Sequence, residues 1–294
     1  MSIARQMMMA AAGGAGGGGG LPVGDVFSTD LYTGNGSTQT ITNGIDLAGE
    51  GGLVWIKSRT GATSHQLFDS ARGGAKVLRT DSTAAESDLS AFWTFAINTD
   101  GWAITASGSE VNSGAHNYAA WTFRKAPAFF DVVTYTGNGV TRAIPHNLDC
   151  EVGSMFIKLA SADKYWPVYH RALGATKFLR LNETLPLQVS STPFSNVEPT
   201  STNFTVSGDI VVNGSGETYV AYLFAHDPLG PSGDGSDGVI SCGSLNIASQ
   251  ATVEVDLGWE AQFVMLKPSS TSGNWFMFDT MRGMAVDSFE WLYA

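Results

Sequence analysis

The residues of this chain best suited to chemistry are five histidines, two cysteines and a scatter of carboxylates, and their spacing assembles no familiar catalytic set. His65, His116, His146, His170 and His226 each stand alone. The chain contains no G-x-S-x-G nucleophile elbow, no phosphate-binding glycine loop and no H-E-x-x-H metal motif. Cys150 and Cys242 form no C-x-x-C and are too few for a disulfide framework, so reduced thiols are expected. A glycosidase would need two carboxylates facing one another across a sugar. Glu50, Glu86, Glu110, Glu151, Glu183, Glu198 and Glu217 all fall in or beside turn-forming sequence, which predicts solvated loop carboxylates. Asp234-Gly-Ser-Asp237-Gly has the look of a calcium loop but lacks its further ligands and terminal Glu. These absences lead to the expectation of no enzyme, no metal and no cofactor.

What must position any site is a unit that recurs. Residues 131–227 hold one full copy, from Tyr135-Thr-Gly-Asn-Gly139 through Met155-Phe-Ile-Lys158 and Val168-Tyr-His-Arg171 to Thr218-Tyr-Val-Ala-Tyr-Leu-Phe224. The same words occur earlier as Tyr32-Thr-Gly-Asn-Gly36, Val54-Trp-Ile-Lys57 and Asn117-Tyr-Ala-Ala-Trp-Thr-Phe123, and later as Val264-Met-Leu-Lys267. Lys57 to Phe68, Lys158 to Tyr169 and Lys267 to Phe278 are each 11 residues apart, and Lys57 to Lys158 and Tyr118 to Tyr219 are each 101. Spacing held over that distance marks a structural unit.

Within each copy the pattern is that of strands. Val54 and Ile56 share a face, with Trp55 and Lys57 opposite, and the lysine stem is expected to lie along its neighbour while the ammonium reaches water. The closing strand alternates Trp121 and Phe123 against small residues. Gly-Asn turn chemistry punctuates the strands, and no helical period is present. The position after the recurring ring (Asp69, His170, Asp279) varies and reads as a polar surface site. The fold class expected is all-β: tandem antiparallel β-sandwich repeats behind an extended, Gly-rich N-terminal anchor. Boundaries fall at 1–24 (anchor and hinge), 25–130, 131–227, a linker at 228–238 and an incomplete third repeat at 239–294, which either continues in the natural protein, the favoured reading, or borrows strands from another chain.

Composition excludes several partners. With 16 basic against 27 acidic residues the net charge is −11, which offers no basic face to nucleic acid or to an anionic membrane surface. No apolar run is long enough to insert in a membrane. The N-terminus is apolar from Met1 to Ala12 and nearly all glycine from Gly13 to Gly20. Its apolar core is shorter than a secretory signal's. A disordered tail is one reading; the other is a docking peg on a glycine hinge, using Ile3, Arg5, Met7, Met8 and Met9. Trp166, Tyr169 and His170 are the candidates for contact with a receptor or glycan, since amphipathic rings stack on sugars, with core packing as the alternative.

The string Phe129-Phe-Asp-Val-Val-Thr-Tyr-Thr-Gly-Asn-Gly139, the His146-Asn-Leu148 turn, Val168-Tyr-His-Arg171 and Thr218-Tyr-Val-Ala-Tyr-Leu-Phe-Ala225 resemble repeats in tailed-bacteriophage structural proteins. The resemblance covers about residues 26–294 and is strongest in the second repeat. It implies a virion component assembled in the host cytoplasm, such as a tail fibre. It further implies a homotrimer fixed to other tail proteins by its N-terminus, with distal repeats facing a host-surface glycan or protein receptor. A head decoration, a baseplate or adaptor-associated spike and a polysaccharide-degrading tail spike are the alternatives.

Overall fold

The computed structural model describes residues 22–74, 76–105, 110–230, 238–247 and 253–284, with the backbone alone of 3–12 and 292–293. The glycine run and Asp234–Asp237 lie outside the described residues. All sheets are antiparallel, and the only helices among the described residues are three of four residues and one 3-10 turn. The all-β expectation is met.

In the first unit a six-stranded sheet runs Phe27–Thr33, Asn117–Arg124, Gly52–Ser58, Gln66–Asp69, Lys76–Arg79, Ser87–Asp88. The second unit repeats it as Phe130–Thr136, Thr218–Ala225, Val152–Leu159, Pro167–His170, Lys177–Arg180, Gln188–Val189. The closing strand thus lies inside the sheet, between the opening strand and the lysine strand. A small sheet covers one face of each: Thr38–Thr42, Gly101–Thr105 and Phe95–Asn98 in the first, Arg142–Pro145 with Asn203–Val206 in the second. The opposite faces meet those of the other units. Both faces being covered, the closing and lysine strands read as continuous apolar runs: Leu53–Ile56 and Tyr219–Ala225 are buried throughout.

The recurring Tyr-Thr-Gly-Asn-Gly words are explained by one buried amide. Asn112 accepts from the Asn35 amide (3.0 Å) and donates to Asn35 Oδ1 (3.2 Å) and the Ser37 carbonyl (2.6 Å). Asn213 does the same to Asn138 (3.1 and 3.0 Å) and Val140 (2.6 Å). The middle glycines allow this approach, because a Cβ on Gly34 or Gly137 would stand 2.3 or 2.0 Å from the carbonyl oxygen of Ser113 or Gly214. Tyr32 and Tyr118, and Tyr135 and Tyr219, stack beside the turn at 5.0 and 5.2 Å.

The third unit differs from its sequence reading. Its sheet runs Ile240–Ile247, Ile3–Ala12, Glu260–Pro268, Phe276–Asp279, Leu292–Tyr293. The chain's own N-terminal strand occupies the closing-strand place, so the unit borrows a strand, but from within the chain. The register matches: Met8 pairs with Met265 as Trp121 pairs with Trp55 and Tyr222 with Phe156. The five residues assigned to docking lie on this strand, Ile3 paired on one edge and Arg5, Met7, Met8 and Met9 on both; their side chains are outside the described part. The sheet's outer face, where units one and two carry a small sheet, leaves Val264, Leu266 and Phe278 half-buried, whereas Val54, Ile56 and Phe68 are fully covered.

The units do not string out as separate beads. One core cluster runs through all three. Phe123 of the first lies 5.5 Å from Phe224 of the second and 5.9 Å from Phe263 of the third, ring to ring. The first unit keeps a second core beneath its small sheet, around Phe68, Phe95 and Trp102.

Candidate functional site

The chemistry of this chain is concentrated at the seams between units, which draw on the same few repeat positions. These are the lysine, the residue after the recurring ring, and the central closing-strand residue.

The lysines are the first correction. Lys57 is half-buried and donates to the Thr63 carbonyl of its own unit, but the ammonium groups of Lys158 and Lys267 do not reach water, both residues being completely buried. Lys158 Nζ donates to the carbonyls of Leu159 (2.7 Å), Ala162 (3.1 Å) and, across the seam, Thr83 of the first unit (3.0 Å). Lys267 donates to Gly273 and, across the second seam, to Glu183 (3.2 Å). Burial pushes both down to about 8. Backbone hydrogen bonds match at the two seams: Glu86 N–H to Ala160 and Leu187 N–H to Ser269, at 2.8 and 2.9 Å. Trp166 and Trp275 also each donate an indole N–H across their seam, to the Ser82 and Arg180 carbonyls (3.1 and 3.0 Å).

The residue after the recurring ring is the second correction. Asp69, His170 and Asp279 are buried, not surface sites. Asp69 accepts from Arg72 Nε at 2.6 Å and from the Tyr222 hydroxyl of the second unit at 2.7 Å. Asp279 accepts from Arg282 Nε at 2.6 Å and from the Trp121 indole of the first unit at 3.0 Å. The units are therefore linked cyclically, second to first and first to third. Buried carboxylates held this way are structural anchors, since removing one partner would strand a charge in a dry interior.

At the first seam this interior opens to solvent as a cleft of about 450 Å³. One wall is Ala71, Arg72, Lys76 and Glu86 of the first unit; the other is Thr134, Tyr135, Thr136, Ala160, Thr218 and Tyr219 of the second. Arg72 is almost wholly buried and donates to Asp69, to Glu86 Oε2 (3.0 Å) and to the Leu67 carbonyl (3.1 Å). Lys76 lies 3.5 Å from the other oxygen of Glu86. Thr134, Thr136 and Thr218 are exposed. The carboxylate here is committed to two cations, and with the exposed threonines beside it the cleft is equipped to hold a polar ligand.

The candidates named from sequence lie elsewhere. Trp166, Tyr169 and His170 are core residues, with no ring face open to a sugar. Trp166 stacks on Tyr222 at 6.2 Å, Tyr169 donates to Glu198 at 2.7 Å, and His170 Nδ1 accepts from the Ala172 amide at 3.2 Å. Glu198 also takes the Ala175 N–H at 2.7 Å, while remaining an exposed loop residue as its sequence predicts. Cys150 and Cys242 are free thiols, and burial pushes Cys150 up to about 12. Of the seam residues, Arg72 and Glu86 carried one legible signal: they sit in the turn and loop after the recurring ring, where the first two copies diverge, whereas Lys76 opens a strand and recurs as Lys177. No helix among the described residues is long and apolar enough to cross a membrane.

No curated protein and no solved structure matches the chain. Residues 22–291, which take in all three units, match one family, and the chain belongs to it: the family described as Domain of unknown function (DUF7483).

Proposed function

We propose that the chain is a non-enzymatic structural component of a tailed-bacteriophage virion, a tail fibre or related host-adhesion appendage attached to other tail proteins by its N-terminal end. The observation that carries this reading is how the recurring residues are used. The lysines of the second and third units and the closing-strand aromatics join unit to unit, and the Tyr-Thr-Gly-Asn-Gly turns clamp each unit internally, which leaves a scaffold with diverging loops at its surface. Such loops on a rigid frame are where binding is tuned. The resemblance of the repeat words to virion proteins supplies the setting.

The shared core favours a compact knob over an extended rod, and that specific observation supports a second virion reading, a head decoration or a baseplate-associated spike. Gold labelling of the N-terminus in intact particles separates the two. Label at the tail is the expected result, and label spread over the capsid would remove the tail-fibre reading. Release of reducing ends from host surface glycan by the purified protein would overturn the non-enzymatic assignment.

A further inference from the structure

In a repeat protein, positions that pack tend to stay alike between copies, whereas positions that meet a ligand are free to depart. The two seams share their backbone hydrogen bonds, yet their side chains part company at the cleft. Arg72 and Glu86 correspond, 101 residues on, to Leu173 and Leu187. Leu187 keeps the amide bond that Glu86 makes, so the change affects the side chain alone. Facing them, Thr134 stands where the first unit has Leu31 and the third has Ser244. Arg72 is held by Asp69 as Arg282 is by Asp279, and Lys76 recurs as Lys177, so the charge that sets the first seam apart is that of Glu86, which no packing requirement shared with the second seam explains.

We propose that the cleft of the first seam binds a neutral saccharide, an inference that rests on the adhesion reading for its biological setting. Its charges sum to zero: Arg72 and Lys76 contribute two positive, Glu86 and the underlying Asp69 two negative. Neither an anion nor a cation is favoured there, and the chain's net charge of −11 further opposes an anion. The lining holds three exposed threonines, Glu86, a Lys76 side chain that is 41% exposed, and the small residues Ala71 and Ala160. Hydroxyls that both donate and accept, beside small apolar patches, complement a sugar ring, whose own hydroxyls do the same around apolar C–H faces. The volume of about 450 Å³ falls within the range of small-ligand sites.

Saturation-transfer NMR on the full chain tests this, with glucose, galactose, N-acetylglucosamine and lactose as probes at about 10 mM, where a millimolar Kd gives high occupancy. The expected result is transfer to the ring protons of at least one sugar, with affinity weakened about tenfold or more in Thr136→Trp, which fills the cleft from an exposed edge-strand position. If that variant loses its cooperative melt, Lys76→Ala is read in its place. Absence of transfer from all four sugars, or transfer that the substitution leaves undiminished, overturns the site. Label at the virion tail without sugar binding would remove this site alone, whereas sugar binding with label over the capsid would remove the tail-fibre reading alone.

Discussion

A lysine ammonium sealed from water needs acceptors for its three N–H groups, and Lys158 finds three carbonyl oxygens. Burial holds Lys158 and Lys267 at about 8 in the fold, against 10.5 for the free side chain. The unfolded chain then binds the extra protons between those values, so stability is expected to rise with pH from about 8 to about 10.5, by at most about 1.4 kcal/mol per pH unit for each lysine. Below that window both states are protonated and the contribution is flat. Lys158→Met is expected to remove its share of this rise and to cost about 2–3 kcal/mol at neutral pH, because carbonyls on both sides of the seam lose a donor. Urea unfolding of both proteins between neutral and alkaline pH checks the pair; an unaltered pH slope in the variant would show that Lys158 does not titrate in the fold. The sequence located these lysines and their period, but not their burial. The deciding acceptor, Thr83, lies 75 residues away in another unit, where strand periodicity carries no information.

At the scale of elements, strand alternation and Gly-Asn turns were readable because each is set by neighbours in sequence. The turn words proved to be sites of a buried asparagine clamp, and the closing strands lie centrally in their sheets, as their continuous apolar runs allow. The partner of the third sheet was not readable, since pairing between residues 3–12 and residues 240–268 depends on a contact the whole chain apart. One substitution tests it. Met8 is the register partner of Cys242, and directly opposed residues of an antiparallel pair share a face within reach of a disulfide. Met8→Cys is expected to form an intrachain bond to Cys242 under mild oxidation, read by non-reducing electrophoresis and peptide mapping. A bond between chains, or a free thiol, would show that the strand lies elsewhere.

The whole molecule behaves, on this structure, as one body with three pseudo-equivalent parts. The repeat itself was plain in the sequence. That the copies would face inward on a common set of phenylalanines was not, because apolar faces on a strand do not announce which surface they meet. Phe224→Ala, which empties a position shared by the first two units, is expected to cost about 3–5 kcal/mol and to shift a single calorimetric transition as a whole. Two separable transitions, with only one displaced, would mean that the units melt independently.

The placement of the N-terminal strand also sets a timetable. Residues 3–12 leave the ribosome more than 220 residues before the strands that flank them, Ile240–Ile247 and Glu260–Pro268. During synthesis the first two units can settle as they emerge, but an apolar ten-residue segment must wait in the open until the last sheet arrives. The equilibrium penalty for that long loop is modest, since closure entropy grows only with the logarithm of length. The delay is what matters: a nascent chain with an unsatisfied strand is exposed to capture by its neighbours on the same polysome, and crowded translation would favour joined copies over single ones.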